Sequence, residues 1–161
     1  MSTFVLLTAS GLGLAGLYFL LASGLSLIFG LMSVLNLAHG AFFAAGGLAG
    51  WWVMDTFETI PAWPRFGLAM VAAAVVGALA GAAVERGLIR KLYGQHVEQI
   101  LLTIGLGMAA VALMGAWFGY EPRLMPQPDW FIRTTEILGA NVPNNRLLIL
   151  AVATAMFVGM M

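Results

Sequence analysis

The first stretch of the chain, residues 4–35, is apolar and carries no charged side chain over 32 positions. A helix that crosses the hydrocarbon core of a bilayer needs about 20 such residues. The stretch is too long for one straight span and too short for two spans joined by an ordinary loop. Because Ser23-Gly24 offers a place to turn, we predict a span near residues 4–22 and a partial segment near 25–36. One long tilted helix is the alternative.

The rest of the chain continues the pattern of a membrane protein. The whole chain is 61% hydrophobic and 9% charged, whereas soluble proteins carry about 25% charged residues. Further spans are predicted at residues 37–54, 66–84 and 100–120, with an incomplete span at 147–161. We predict a single all-α integral membrane domain over residues 1–161, apparently truncated. Its fold is a multi-span helical bundle with a broken or re-entrant segment near residues 25–40.

Small residues recur at four-residue spacing along the predicted spans. The pairs are Gly46/Gly50, Gly77/Gly81 and Gly115/Gly119. In membranes such pairs let two helix backbones approach closely. We therefore predict that the spans pack as a bundle rather than lie apart as separate anchors.

The orientation of the bundle follows from its basic residues. Arg86, Arg90 and Lys91 lie within six positions of the 85–99 loop, and loops rich in lysine and arginine stay on the cytoplasmic side. We predict that this loop is cytoplasmic. The loops at 55–65 and 121–146, which lie near most of the tryptophans, are then outside.

One polar cluster interrupts the apolar sequence: Ser33, Asn36 and His39, followed by Gly40. An Asn or His side chain that faces lipid is costly, so the cluster is expected to face the protein interior or a water-filled path. Gly40 favours a bend or a close backbone approach. Two interpretations stay open: the cluster caps a helix break near an interface, or it lines a path through the membrane.

The same region resembles a known family. Residues 24–30, GLSLIFG, and 36–40, NLAHG, are similar to the N-terminal signature of the membrane-spanning permease subunits of branched-chain amino acid ABC importers. Downstream, residues 85–92, ERGLIRKL, and 102–105, LTIG, are similar to the cytoplasmic loop and next helix of that family. Since family permeases are considerably longer, the resemblance implies that the chain is the N-terminal half of such a permease.

The resemblance implies translocation of branched-chain amino acids across a bacterial inner (plasma) membrane by a multi-pass subunit, with ATP hydrolysed elsewhere. The implied partners are ATP-binding subunits, a second permease subunit that is a paralogue, an external substrate-binding protein and the lipid bilayer. The implied translocation path, or its support, comprises Ser33, Asn36, His39 and Gly40. The implied cytoplasmic contact with the ATP-binding subunit comprises Glu85, Arg86, Arg90 and Lys91, although an ordinary solvated loop is the alternative.

The sequence offers little for catalysis. It has no cysteine and two histidines, and it contains no phosphate-binding loop, nucleophile elbow or zinc-protease motif. On a continuous helix, Ser33 and His39 would lie too far apart for direct proton transfer. We therefore predict no enzymatic activity, no cofactor and no metal. Seven basic and seven acidic residues balance, which gives no sign of a nucleic-acid partner.

Two alternative functions stay open from the sequence. The first is import of urea, short amides or other amino acids by a transporter of the same family. The second is a structural membrane protein without a transport path. Replacement of Asn36 and His39 by apolar residues distinguishes the two classes, because a scaffold would tolerate it and a path would not.

Overall fold

The computed structural model of the chain describes residues 2–32, 34–137 and 139–160. Its elements are α1 (Ser2–Met32), α2 (His39–Thr56), α3 (Ala62–Gly87), a 3₁₀ helix (Ile89–Leu92), α4 (His96–Phe118), α5 (Asp129–Ile132), β1 (Thr134–Ile137), β2 (Ala140–Pro143) and α6 (Asn144–Met160). Within the described residues, three helices are long and apolar enough to cross a membrane: Thr3–Leu31 in α1, and all of α3 and α4. The predicted all-α membrane fold is confirmed.

The predicted break near residues 25–40 lies at the end of α1. That helix ends at Met32, residues 34–36 have no regular structure, and a turn at 37–38 leads into α2 at His39. Ser33, the first member of the predicted polar cluster, lies outside the described residues. The chain thus passes from one helix to the next through a short non-helical segment that contains Asn36.

Helix α1 itself differs from the prediction. It runs without interruption from Ser2 to Met32, so the predicted turn at Ser23-Gly24 is wrong, and 4–22 and 25–36 are not separate segments. The Ser23 hydroxyl donates a hydrogen bond to the Leu20 carbonyl, 2.9 Å away in the same helix. In an apolar environment backbone groups must be bonded internally, and a continuous helix achieves this where a turn would not.

The other predicted spans coincide with helices whose ends are shifted. Residues 37–54 correspond to α2, 66–84 to α3, 100–120 to α4 and 147–161 to α6. Helix α2 is not among the three candidate spans, since His39, Asp55 and its glycines lower its mean hydropathy. That α2 and α6 lie in the membrane therefore stays a prediction.

The chain divides into two compact units, one of them Leu27–Pro126 and the other Met1–Ser26 with Gln127–Met161. The predicted single domain stays a prediction. In the second unit α1 meets α6 through small residues of α1. A Cβ atom added to Gly16 would lie 3.3 Å from the Ile149 side chain and 3.4 Å from that of Ala153.

The second unit also orders part of the predicted 121–146 loop. Strands β1 and β2 pair antiparallel, with Gly139 at a φ of +77° in the turn between them. The buried Asn144 side chain holds this segment together. Its amide nitrogen donates to the Trp130 carbonyl at 3.0 Å, and its oxygen accepts from the Thr135 hydroxyl at 2.6 Å.

In the first unit, α2 and α3 pack through small residues. A Cβ atom added to Gly46 would lie 3.2 Å from the carbonyl oxygen of Ala73, and one added to Gly50 would lie 3.5 Å from that of Ala69. The buried side chains of Val53, Met54 and Ala69 form a core beside this contact. The predicted close packing at Gly46/Gly50 is confirmed.

Candidate functional site

The break between α1 and α2 is held by the side chain of Asn36. This residue is buried, and its Oδ1 atom accepts a hydrogen bond from the backbone N–H of Ala38 at 3.0 Å. Its backbone carbonyl accepts a second bond from the N–H of His39 at 3.2 Å. Asparagine side chains favour such turns because they replace a backbone acceptor. Asn36 thus satisfies a backbone donor within the break, as the capping interpretation requires, although the first turn of α2 has no side-chain cap.

The same segment is seated on α4. Thr103 is fully buried, and its hydroxyl oxygen lies 2.8 Å from the Gln99 carbonyl and 3.4 Å from the Leu35 carbonyl. One turn further along, a Cβ atom added to Gly107 would lie 3.5 Å from the Cα atom of Ala38. A small residue at this position lets the non-helical backbone rest directly on the helix.

A cavity of about 670 Å³ lies beside the break, between α2 and α3. Asn36 and His39 form part of its wall. Much of the remaining wall consists of small residues of the two helices: Gly46, Gly47, Ala73, Ala74, Gly77, Ala78 and Gly81. Gly77 and Gly81 face open space, since nothing lies within 4 Å of a Cβ atom added to either. The cavity is thus mostly apolar and carries two hydrogen-bonding side chains from the break, Asn36 and His39.

Glu85 also lines this cavity, together with the buried Ile89 of the 3₁₀ helix. Its Oε1 atom accepts a hydrogen bond from the Tyr93 hydroxyl at 3.0 Å and lies 3.9 Å from Nε of Arg90. This hydrogen bond, with smaller effects of desolvation and of the Glu85 charge, raises the pKa of Tyr93. Glu85 therefore connects the cavity wall to the 85–99 loop.

The predicted site residues are brought together only in part. Asn36, His39 and Glu85 share one cavity, although Glu85 was assigned to the loop. Gly40 instead lines a second cavity, of about 620 Å³, with α4 residues that include Gly107 and Met108. Arg86, Arg90 and Lys91 are exposed.

Sequence reasoning missed Thr103 and Gly107 as supports of the break. Thr103 lies in the LTIG segment on which the family resemblance partly depends. That segment, and not any local pattern of charge or polarity, was the available signal. A contact between residues 68 positions apart, such as Thr103 with Leu35, leaves no periodic trace in either segment.

Long apolar helices, with a cavity edged by polar side chains beside a helix break, define the class of helical membrane proteins. The chain matches the family described as branched-chain amino acid transport system, permease component, over residues 7–161. It belongs to this family, which confirms the resemblance seen in the sequence. No curated protein and no solved structure matches the chain.

Proposed function

We propose that the chain is the membrane-spanning permease subunit of an ABC importer that carries branched-chain amino acids across a bacterial inner membrane. ATP is hydrolysed by partner subunits, and the chain itself catalyses no reaction. An external binding protein delivers the substrate, and a second, paralogous permease subunit completes the path. Membership of the permease family supports this proposal, because the family is described by that transport system.

The cavity beside Asn36 and His39 is the observation that carries the proposal. Its volume of about 670 Å³ falls within the range of roughly 300–1,000 Å³ that is typical of small-molecule sites. Walls of alanine and glycine suit an aliphatic side chain. The amide of Asn36 and the imidazole of His39 can form hydrogen bonds with the amino and carboxyl groups of an amino acid. A site of this composition passes a branched-chain amino acid without holding it tightly.

The 85–99 loop is the proposed contact with the ATP-binding subunit. Its exposed cationic side chains, Arg86, Arg90 and Lys91, can pair with carboxylates of a partner. Because Glu85 contacts both Tyr93 and the cavity, movement of the loop would act on the cavity wall. ATP hydrolysis by the partner subunit that contacts this loop changes access to the cavity in this way.

The test is reconstitution. Vesicles that contain the chain with its partner permease and ATP-binding subunits are loaded with ATP, and the binding protein and labelled leucine are added outside. We expect leucine to accumulate only with ATP and with an active ATP-binding subunit. Accumulation of labelled urea or acetamide in place of leucine would reassign the substrate within the family. No ATP-dependent accumulation of any of these solutes would reject the proposed function.

A further inference from the structure

A third cavity, of about 290 Å³, lies apart from the break, between α2 and the segment that follows α4. Helix α4 ends at Phe118, and Gly119, with a φ of +81°, redirects the chain. The residues that follow, including Glu121, Arg123 and Met125, line the cavity opposite Gly47, Leu48 and Trp51 of α2. By the predicted orientation this cavity faces outward.

Arg123 is held in place on the wall of this cavity. Its guanidinium carbon lies 4.3 Å from the centre of the Trp51 ring, a cation–π contact. Its Nη2 atom donates a hydrogen bond to the Phe118 carbonyl. The ring of Phe118 in turn meets that of Trp51 edge-on, at 6.4 Å between centroids. Two contacts thus orient a group that has five N–H donors, and most of those donors are left for a ligand.

The cavity also carries the opposite charge. Glu121 is exposed and lines the same space. Within the described part of the chain, its carboxylate forms no ion pair with Arg123, since the only such pair is Glu85 with Arg90. The guanidinium of Arg123 and the carboxylate of Glu121 can therefore each bind a separate group of a ligand. By contrast, neither lysine nor arginine is among the described residues that line the cavity beside Asn36.

The remaining walls are apolar or small. Leu48 and Met125 provide aliphatic surface, and Gly47 leaves space, since nothing lies within 4 Å of a Cβ atom added to it. An oriented guanidinium suits a carboxylate, because its planar donors match the two oxygens. A separate carboxylate suits an ammonium group, and the apolar walls suit a short aliphatic chain.

We propose that this cavity binds an α-amino acid with an aliphatic side chain, as the zwitterion. Arg123 holds its carboxylate, Glu121 holds its ammonium group, and Leu48 and Met125 contact its side chain. The choice of amino acid rests on the proposed function, whereas the recognition of a zwitterion rests on the cavity alone. Substrate binds at this site before it reaches the cavity beside Asn36.

The experiment measures equilibrium binding of labelled leucine to the assembled transporter in nanodiscs. The external binding protein is left out, because it would bind leucine itself. Competitors are leucine methyl ester, which lacks the carboxylate, and 4-methylpentanoate, which lacks the ammonium group. We expect each to compete about tenfold or more weakly than leucine, since each loses a charged partner.

Variants assign the two charges. Arg123→Gln should weaken leucine binding by about tenfold or more, while Arg133→Gln, the same change at an exposed arginine outside the cavity, should not. Glu121→Gln should weaken leucine binding yet leave the affinity for 4-methylpentanoate unchanged. A purely structural role would not produce that difference. Arg123→Lys keeps the positive charge, so this variant should bind leucine more tightly than Arg123→Gln. The comparison distinguishes loss of the charge from a folding defect.

The outcomes separate this site from the proposed function. Wild-type leucine binding by Arg123→Gln and Glu121→Gln, or no saturable binding by the wild type, would overturn the site. ATP-driven leucine uptake by the wild type would still stand in that case. Conversely, binding that depends on Arg123 in a transporter with no ATP-driven uptake would retain the site and reject the proposed function.

Discussion

The side-chain oxygen of Asn36 accepts a hydrogen bond from the backbone N–H of Ala38, 3.0 Å away, and Asn36 also lines the cavity between α2 and α3. Its place in the cavity wall is compatible with both interpretations that its sequence position allowed, and a path through the membrane stays a prediction. Its oxygen stabilises the helix break, and its amide nitrogen is the remaining group that can interact with a solute. The two roles can be separated, because aspartate keeps the oxygen and removes the nitrogen.

The first prediction concerns uptake by Asn36 variants. Asn36→Leu should reduce ATP-dependent uptake by about tenfold or more with normal amounts of protein in the membrane, since it removes both groups. Asn36→Asp should also reduce uptake, although it keeps the bond to Ala38. Asn141→Leu, the same change at an exposed asparagine of β2, is the control. Normal uptake by Asn36→Asp would leave Asn36 with the capping role alone.

The second prediction concerns the Tyr93–Glu85 hydrogen bond. The folded-state pKa of Tyr93 is raised, so this bond contributes stability below the unfolded pKa of about 10. That contribution is lost as the pH rises through the higher folded value. The difference between the absorbance titrations of the wild type and of Tyr93→Phe should have its midpoint above pH 10. Glu85→Gln should lower that midpoint. An equal midpoint with and without the Glu85 carboxylate would contradict the contact.

The third prediction compares two adjacent glycines of α2. A methyl group at Gly46 meets the Ala73 backbone, which cannot move aside, whereas nothing lies within 4 Å of one at Gly47. Gly46→Ala should therefore destabilise the helix pair by about 1–3 kcal/mol. Gly47→Ala should be neutral or stabilising by up to about 1 kcal/mol, through helix propensity. Thermal unfolding in detergent measures both, and equal midpoints would show that α2 and α3 do not meet at Gly46.

The fourth prediction compares Asn144 with its neighbour. Asn144→Ala removes the hydrogen bonds to the Trp130 carbonyl and the Thr135 hydroxyl, which should cost about 1–3 kcal/mol. Asn145→Ala removes a buried Oδ1 atom that has no hydrogen-bond partner among the described residues, so its cost should be smaller. Hydrogen exchange across β1 and β2 reports the difference. Faster exchange in Asn145→Ala than in Asn144→Ala would contradict the assignment.

The fifth prediction concerns orientation. The chain has no cysteine, so single cysteines report cleanly. Gly94 is unsuitable because its φ of +87° would strain a side chain, whereas Gln95 and Gln127 are both exposed. An impermeant thiol reagent added to intact cells should label Gln127→Cys and leave Gln95→Cys unlabelled. The reverse pattern would invert the topology.

Composition and periodicity were sufficient to predict the helical membrane fold and the contact at Gly46/Gly50. The continuity of α1 was not predictable from Ser23-Gly24, because the same pair suits a turn in water and a helix in an apolar medium. Strands β1 and β2 were predicted as part of a loop. They are held by the hydrogen bonds of Asn144 with Trp130 and Thr135, and these pairings do not appear as a pattern in the sequence. Asn36 and His39 were predicted as a site from their cost in lipid, whereas Thr103 and Arg123 depend on contacts that no local pattern encodes.

Two of the three small-residue pairs that looked alike in the sequence have different surroundings. Gly46 and Gly50 lie against the backbone of α3, while Gly77 and Gly81 of α3 have nothing within 4 Å of an added Cβ atom and line the cavity. Substitutions at positions 77 and 81 can therefore reduce the volume of the cavity by one methyl group at a time. They leave the contact between α2 and α3 at Gly46 and Gly50 unchanged. The contact between α2 and α3 and the volume of the cavity thus depend on separate positions, so substitutions can change the cavity without weakening the helix pair.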